Sequence, residues 1–452
     1  MPSPADGSIP WDGWSRETVR GAVYLAARYG VGVILGLGNM LVMTWWIGPH
    51  AYGLFVTAVG IVAFLATLTR GGIDTYLVRS ETEPDNRSYG TAATLILAAS
   101  AVLVLAAVLV IPLLLHWFGN GEFVAPYLWL LTTIPVTGLT GIAMAKLERR
   151  LDFRNIAGIE LIGQSAGLLV SAFVAWSRAS VWAPVAGQIV GQCFTLLGAM
   201  MCASLHPSLA FHRGQARAML SYGLALTASL RTWQLRNLVN PLLVGRFAGA
   251  EGVAFVALAI RIAEALGTFR LAAGRMGIAA LSRIQNSRDH FRKTLESALR
   301  LQVLALGPLL CGFALAGPFL LPLMAGARWQ PSLAVYPFVA AGVLINSVYN
   351  LQASALFVIG RPWIVLQGYA AHVALLTATT LLLSPRFGIA GYGWAELAAC
   401  GGYGWIHFAT ARTTPISYRK LAPWLVGFLL CLLLASVAPT LSHFIRHSIV
   451  AQ

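Results

Sequence analysis

The sequence predicts an all-α polytopic membrane protein, with two pseudo-symmetric six-helix lobes around a central cationic cavity and about one extra transmembrane helix at the C-terminus. Three observations lead to this fold class. Apolar runs long enough to cross a bilayer follow one another along the chain. A glycine-containing segment recurs at equivalent places in the two halves, and arginines occur deep inside several apolar runs.

The composition suits a lipid environment. Hydrophobic residues make up 58% of the 452 residues and charged residues only 10%, whereas a soluble globular protein carries roughly 25% charged residues. The net charge of +15 is spread over short segments between apolar runs. Since no compact basic domain or nucleic-acid motif is present, we expect no nucleic-acid partner. The five cysteines lie in apolar segments without paired spacing, so we expect small buried thiols and no metal site.

About thirteen apolar segments reach the length of roughly 20 residues that a helix needs to cross the hydrocarbon core. They lie at 18–47, 51–71, 90–116, 124–146, 156–177, 182–204, 218–245, 252–280, 299–317, 333–358, 363–383, 389–411 and 421–441. Prolines in or beside these segments predict kinks, because proline removes a backbone donor and clashes with the preceding turn. They are Pro135, Pro241, Pro318 and Pro322.

The connections between spans differ strongly in charge. About 20 cations lie on the side of the N-terminus against 5 on the other side. Because cytoplasmic loops carry the excess of Lys and Arg, this asymmetry predicts a cytoplasmic N-terminus and short, weakly charged outer loops. The five cations of the predicted outer side are Arg178, Arg246, Arg328, Arg386 and Arg446.

The two halves of the chain share a segment between their first and second helices. WIGPHAYGLFVTA at 46–58 aligns with FAGAEGVAFVALA at 247–259, which matches Gly48 with Gly249. Both sets of six helices start on the same side, so we expect a pseudo-two-fold axis along the membrane normal with a path between the halves. The alternative is that small residues simply recur at helix ends.

This organisation gives approximate domain bounds. We expect a disordered cytoplasmic tail, an N-lobe of helices 1–6, a cytoplasmic linker, a C-lobe of helices 7–12, and an extra helix with its tail. The respective ranges are 1–15, 16–204, 205–217, 218–412 and 413–452.

Three arginines lie far from both ends of their spans. Arg28 is roughly 17 Å along the first helix, Arg231 roughly 20 Å along the seventh, and Arg261 about 15 Å from the outer end of the eighth. Facing lipid, the three would cost on the order of 8–10 kcal/mol on insertion scales. We therefore expect them to face protein or a water-filled cavity.

The seventh span carries further polar residues. Gln234 lies on the same helical face as Arg231, and Arg236 shares another face with Asn240. No acid lies within one helical turn of Arg231. These residues are predicted to line the same cavity.

In the eighth span, Arg261, Glu264 and Thr268 form one stripe at i, i+3 and i+7. Glu264 either neutralises Arg261 as a local ion pair or titrates separately, in which case it is the candidate for proton or sodium coupling. Arg70 and Arg270 add positive charge at the cytoplasmic mouth of the cavity.

The interior of the predicted helix bundle carries a positive excess, because few acids lie within the spans. A hydrated cationic core suits an anionic ligand, since guanidinium groups bind phosphate oxygens in a bidentate way and stay charged. We expect no cofactor, no metal ion and no catalytic residue. The few acids in or near the spans are Glu264, Glu396, Glu160 and Asp74.

Histidine and tryptophan give weaker signals. His372 and His407 are lone histidines in apolar helices, which we interpret as packed core. Tryptophans near span ends are typical of an interfacial belt. They include Trp45, Trp46, Trp117, Trp129 and Trp182.

Three segments carry a family resemblance that covers residues 16–412. IGPHAYGLFVTAVGI follows the long first helix, KLERRLDFRNIAGIELIGQ lies between the fourth and fifth, and LFVIGRPWIVL lies between the tenth and eleventh. Together they resemble polysaccharide flippases of the Wzx type, within the larger superfamily of multidrug and oligosaccharidyl-lipid exporters. The single span after residue 412 departs from that family, in which relatives commonly have none or two.

The resemblance implies a function and partners. Wzx-type proteins flip undecaprenyl-pyrophosphate-linked oligosaccharide repeat units across the bacterial inner membrane by alternating access. Their cationic cavity is lined chiefly by the first, second, seventh and eighth helices. By resemblance, Arg28, Arg231 and Arg261 would hold the pyrophosphate. The implied partners are this lipid-linked oligosaccharide, membrane lipids, a glycan polymerase and a chain-length regulator.

Other functions stay open at this point. A membrane enzyme of envelope glycan synthesis, such as a polymerase or ligase, needs catalytic groups on a long outer loop, and the predicted outer loops are short. A multidrug exporter of the same superfamily is disfavoured by the positive charge of the core. A flippase of lipid II or of a teichoic-acid precursor shares the diphosphate handle and is harder to exclude.

Overall fold

The computed structural model describes residues 38–80, 83–205, 209–268, 287–414 and 416–450, together with residues 32, 35 and 36. Within these ranges, the side chains of 222–231, 288 and 437–450 are not described. Every regular element in the described residues is helical.

The first half of the chain forms a bundle that we call the N-lobe. Its first helix, α1, is described over 38–46. The second span consists of two helices joined at two glycines, the third of two helices that follow each other directly, and the fourth of two helices separated at Thr132. The elements are α2 (Pro49–Arg70), α3 (Ile73–Arg79), α4 (Asn86–Leu109), α5 (Ile111–Phe118), α6 (Val124–Leu131), α7 (Thr133–Arg149), α8 (Phe153–Ser177) and α9 (Trp182–Ala203).

The second half forms the C-lobe, followed by one further helix. The elements are α10 (Arg213–Gln234), α11 (Arg236–Val239), a π-helical segment (Asn240–Val244), α12 (Gly245–Leu266), α13 (Arg288–Ala325), a 3-10 turn (Ala327–Trp329), α14 (Ser332–Val358), α15 (Pro362–Ala399), a 3-10 turn (Cys400–Gly402), α16 (Tyr403–Thr413) and α17 (Ala422–Val450).

Residues of known capping preference mark several helix ends. Asp85 precedes α4 and accepts a hydrogen bond from the Ser88 backbone N–H at 2.8 Å. The Ser88 hydroxyl and N–H both bind this carboxylate, which lowers the pKa of Asp85. Gly71 ends α2 in the left-handed conformation, with a φ of 56°. Such a backbone favours glycine because it has no Cβ.

Two of the long apolar segments contain a reversal of the chain. Gly249, with φ 68° and ψ −174°, interrupts α12, and Gly388, with φ 55° and ψ −129°, interrupts α15. The Asn240 side-chain amide donates to the Val253 carbonyl, and His372 bonds to the Ala399 carbonyl, so the chain folds back on itself at both glycines. The seventh and eighth spans, and the eleventh and twelfth, are therefore hairpins.

The predicted spans agree with the helices wherever the structure describes them. Nine apolar segments in the described residues are long enough to cross a membrane, and two of these contain the hairpins. The chain reversals at Gly48 and Gly249 occur at the two glycines that the internal repeat aligns. Pro241 lies in the π-helical segment, as expected for a kink, whereas α13 continues through Pro318 and Pro322.

The helix ends fall on two sides. We call one the turn side, with the connections at 47–48, 119–123, 178–181, 249, 326–331 and 388. The opposite end, which carries most of the Lys and Arg, is the basic side. The helix α10 begins at Arg213, within the range 205–217 that the sequence assigns to the linker.

The helix α17 packs against the C-lobe. Phe428 lies against Gly307 of α13, and its carbonyl accepts a hydrogen bond from the Cys311 thiol at 3.4 Å. Gln352 of α14 donates to the hydroxyl of Tyr418, just before α17, at 2.7 Å. The extra C-terminal helix is therefore a part of the lobe. All five cysteines are free. The prediction of buried thiols agrees with Cys311, is wrong for the exposed Cys202, and holds only in part for the other three, which are half-buried.

Candidate substrate site

One charged stripe runs along α12, in the middle of the bundle. Arg261 and Glu264 are exposed, and Thr268 is half-buried, whereas Leu258, Ile262 and their neighbours on the other faces are buried. Arg261 lies twelve residues beyond the reversal at Gly249, which is about 18 Å along the helix axis. Since the hydrocarbon core is roughly 30 Å thick, this distance from the reversal corresponds to the middle of a membrane span.

Arg261 and Glu264 do not pair with each other, although both residues belong to the described part of the chain. The hydroxyl of Thr268 donates to the carbonyls of Glu264 and Ala265 in its own helix, at 3.1 and 2.8 Å. The guanidinium of Arg261 is thus not neutralised by the acid one turn away. The alternative of a local ion pair is not observed in this conformation.

Arg236 does have a partner, and it comes from another helix. Its Nη2 lies 2.5 Å from Oε1 of Glu396, and their side chains are 14% and 4% exposed. The hydroxyl of Tyr392 donates to the other carboxylate oxygen of Glu396 at 3.4 Å. Gly342 of α14 makes room for this acid, since a Cβ there would lie 3.0 Å from Cγ of Glu396. Arg236, which was predicted to line the cavity, is a neutralised and largely buried cation.

Aromatic rings surround this ion pair. The Arg236 guanidinium lies over the Trp233 ring at 4.9 Å, and Trp233 contacts His372 at 5.2 Å between ring centroids. His372 stacks on Tyr403 at 4.6 Å and lies 2.9 Å from the Ala399 carbonyl through Nδ1. Because a carbonyl only accepts, Nδ1 carries the proton. His372 is 1% exposed, so its interpretation as a packed core residue agrees with the structure.

The other polar residues of the seventh span have different surroundings. Asn240 is 5% exposed and joins the two arms of the first hairpin by donating to the Val253 carbonyl at 3.2 Å. Its side chain is buried within the hairpin in this conformation, and its predicted place on the cavity wall stays a prediction. Gln234 is exposed, and its Oε1 accepts a hydrogen bond from Asn237 at 2.7 Å.

Arg70 lines a cavity of about 550 Å³ inside the N-lobe. Gly141 allows the arginine to approach α7, because a Cβ there would lie 3.3 Å from Cδ of Arg70. The described lining also includes Asp74, Glu148 and Glu160, so it contains more acids than cations. The described part of this lining lies in helices of the N-lobe and is acidic, unlike the cationic lining that the sequence predicts for the path between the lobes.

Three of the predicted site residues cannot be placed. Arg28 and Arg270 lie outside the described residues. Arg231 belongs to α10, near the middle of the helical stretch 213–248, but its side chain is not described. In the ranges that the structure covers, no group of three or more His, Cys, Asp or Glu side chains could hold a metal ion.

The sequence is similar to that of proteins of polysaccharide biosynthesis. A profile of the family described as polysaccharide biosynthesis protein matches residues 42–334. The lipopolysaccharide biosynthesis protein WzxC of Escherichia coli (strain K12) is 24% identical over 350 residues, which cover 76% of this chain and 70% of WzxC.

The fold is similar to that of solved membrane proteins. The lipid II flippase MurJ in an inward closed conformation has a TM-score of 0.73 at 13% identity, over 95% of this chain and 100% of MurJ. An inward-facing multidrug resistance transporter of the MATE family has a TM-score of 0.67 at 16% identity, over 87% of this chain and 98% of that chain. These similarities confirm the predicted fold class, an all-helical membrane protein with two lobes.

Proposed function

This chain belongs to the family of polysaccharide biosynthesis proteins, and we propose that it flips undecaprenyl-pyrophosphate-linked oligosaccharide repeat units across the bacterial inner membrane by alternating access. The glycan head would pass between the lobes while the lipid tail stays in the bilayer. The product would supply an exopolysaccharide, capsule or O-antigen pathway.

The observation that carries this proposal is the stripe on α12. An arginine facing lipid at the membrane centre costs about 2.5–3.5 kcal/mol on insertion scales. Arg261 is exposed at that depth, and Glu264 does not neutralise it. The stripe therefore suits the wall of a water-filled path, where a planar guanidinium can bind the oxygens of a diphosphate.

The proposal assigns the pyrophosphate to Arg28, Arg231 and Arg261. Gln234, Thr268 and the mouth residues Arg70 and Arg270 complete the path. Glu264 remains the candidate for proton or sodium coupling, because it lies exposed beside Arg261 without pairing with it. Arg236 and Asn240, being buried, would join the path only in another conformation.

The proposal also includes an orientation. The basic side would face the cytoplasm, together with the N-terminus, and the turn side would face outward. The N-lobe would extend over 16–204 and the C-lobe over 218–412. A polymerase and a chain-length regulator would then meet the product at the turn side.

An enzyme of envelope glycan synthesis is less well supported. It would need catalytic groups at the turn side, where the longest described connection is 326–331. The acid Glu122 on this side binds His50, with 2.6 Å between Oε2 and Nε2, and both side chains are more than half exposed. One exposed pair on a short connection provides no enclosed site for a glycosyl transfer.

The test replaces Arg261 in cells that depend on this chain for one glycan pathway. Arg261→Ala should reduce export by roughly ten- to a hundredfold, which corresponds to the loss of a hydrogen bond to a charged group. Lipid-linked repeat units should accumulate on the cytoplasmic side. Arg261→Lys should retain part of the activity, since it keeps the charge but loses the planar fork, and Arg261→Glu should be the most severe.

Arg386→Ala is the matched control, because Arg386 is exposed at the turn side next to Gly388 and outside the stripe. Purified Arg261→Ala should also bind undecaprenyl pyrophosphate more weakly than the unmodified chain, with no change for undecaprenol. Normal export by correctly inserted Arg28→Ala, Arg231→Ala and Arg261→Ala variants would contradict the proposal.

A further inference from the structure

The two lobes are joined at the turn side by two tryptophans, one from each lobe. Trp329 lies between the third and fourth helices of the C-lobe, and its indole N–H donates to the Thr44 carbonyl of α1 at 2.8 Å. Trp117 lies at the equivalent place in the N-lobe, and its indole N–H donates to the Leu242 carbonyl at 2.9 Å. Each lobe thus binds the end of the other lobe's first helix.

The Thr44 carbonyl is available because α1 ends two residues later, whereas the Leu242 carbonyl lies in the π-helical segment of the seventh span. The last carbonyls of a helix have no N–H partner in the next turn. At the end of α1, the Met43 carbonyl accepts a hydrogen bond from the Ile47 backbone N–H. The carbonyls of Thr44 and Trp45 accept hydrogen bonds from side chains of the C-lobe. Arg328 donates to the Thr44 carbonyl at 3.0 Å and to the Trp45 carbonyl as well. A cation at this position also interacts favourably with the helix dipole.

The contact of Trp117 with Leu242 also includes an arginine, but here the arginine belongs to the lobe that supplies the carbonyl. Arg246, just beyond the π-helical segment of the C-lobe, lies over the Trp117 ring at 5.9 Å. In both contacts an arginine and a tryptophan act together at the end of a first helix. The two tryptophans therefore follow the pseudo-two-fold relation of the lobes, whereas both arginines belong to the C-lobe.

The Trp329 ring also fills the space between the lobes. It is fully buried, with its edge toward Tyr52 of α2 at 5.7 Å and toward Phe255 of α12 at 6.1 Å. Next to it, Gly53 meets the backbone of Ala250 so closely that a Cβ would lie 1.7 Å from the Ala250 carbonyl oxygen. No path runs between α2 and α12 at this level while these contacts persist.

We propose that Trp117 and Trp329 are reciprocal latches of a gate at the turn side, and that both indole–carbonyl bonds break each time the gate opens. The purpose of this gate rests on the proposed transport function. The test of the latches does not depend on that function. When the gate opens, water would donate hydrogen bonds to the carbonyls of Thr44 and Leu242 in place of the indole N–H groups. Each latch therefore shifts the equilibrium between the closed and the open gate only modestly.

The experiment measures access to the interface behind the latches. Thr57 is 4% exposed and lies one turn beyond Gly53 on the same face of α2. Thr57→Cys in the full chain, with the five native cysteines replaced, reports opening through its reaction with a membrane-impermeant thiol reagent. Intact cells and inside-out vesicles are both labelled, so that the turn side is reached whichever way the chain is oriented.

Trp329→Phe and Trp117→Phe keep a ring and remove the N–H. Each should raise the labelling rate by roughly two- to tenfold, the effect of one lost hydrogen bond, and the double variant should raise it by about the product of the two. Trp182→Phe is the matched control, because Trp182 is 41% exposed at the turn side. Arg328→Gln should also raise the rate while leaving the Trp329 ring in place.

Labelling rates that match the Trp182→Phe control in both single variants, in the double variant and in Arg328→Gln would overturn the proposal. The assay needs no substrate. If the chain transports something other than a lipid-linked glycan, the latches still show their effect on labelling, and the two proposals fail separately.

Discussion

At the scale of single residues, the midspan arginines have different partners. Arg236 is bound by Glu396 and covered by Trp233, whereas Arg261 is exposed and unpaired with its neighbouring acid. A buried guanidinium with a carboxylate partner has no free charge for a ligand. Of these two, Arg261 is therefore the one that we propose for binding an anion, whereas Arg236 holds the broken seventh span against the twelfth.

The Arg236–Glu396 pair leads to a stability prediction. Glu396→Gln alone and Arg236→Gln alone should each destabilise the folded chain by about 3–5 kcal/mol, because each leaves one charge buried without its partner. The double variant should recover most of this loss. Unfolding in detergent for the unmodified chain, both single variants and the double variant gives the coupling energy. Additive losses would show that the two side chains act independently.

At the scale of helices, glycines decide how closely neighbours approach. In α8 and α9, Gly163, Gly167, Gly187 and Gly191 face one another, and a Cβ on Gly167 would lie 2.8 Å from the Gly187 carbonyl oxygen. Small residues allow such backbone approach, which replaces the hydrophobic driving force that is absent in lipid. The backbones of α8 and α9 are therefore in direct contact along this face.

Two glycines of α8 provide a matched comparison. Gly167→Ala should destabilise the chain by about 1–3 kcal/mol, since the added methyl group must push the helices apart. Gly158 has no atom within 4 Å of its Cβ position, so Gly158→Ala should be neutral or stabilise by up to about 1 kcal/mol. Thermal unfolding in detergent compares the two. Equal effects at both positions would argue against close packing as the reason for these glycines.

At the scale of the whole molecule, the helices alternate between a turn side and a basic side. The side that carries most Lys and Arg is predicted to be cytoplasmic. Short connections at the turn side leave little surface there, and the first helices of both lobes end on it. The proposed gate therefore closes the turn-side end of the proposed path between the lobes.

The orientation can be checked with two single cysteines in a chain that lacks the native five. Ser287→Cys, on the basic side, should resist an impermeant thiol reagent in intact cells and react after permeabilisation. Asn120→Cys, in the turn-side connection 119–123, should react in intact cells, because both residues are exposed. The reverse pattern would invert the orientation, and reaction at both sites would indicate mixed insertion.

Much of the architecture could be predicted from local patterns. Apolar runs located the helices, and the aligned glycines Gly48 and Gly249 located two equivalent reversals. The resemblance to Wzx-type flippases is confirmed by the family match and by WzxC. These signals are readable because every backbone group inside lipid must be satisfied, which makes the spans helical and sets a minimum length of roughly 20 residues.

The pairing of residues was decided by the tertiary structure. Glu396 lies 160 positions from Arg236, and Trp329 lies 285 positions from Thr44. Helical periodicity links residues three or four positions apart, so it identified the stripe on α12 but could not identify these partners. The sequence by itself determined which residues are costly in a membrane. Only the packing of the lobes decided that Glu396 neutralises Arg236, and that Trp117 and Trp329, one of them assigned to an interfacial belt, bind carbonyls of the opposite lobe.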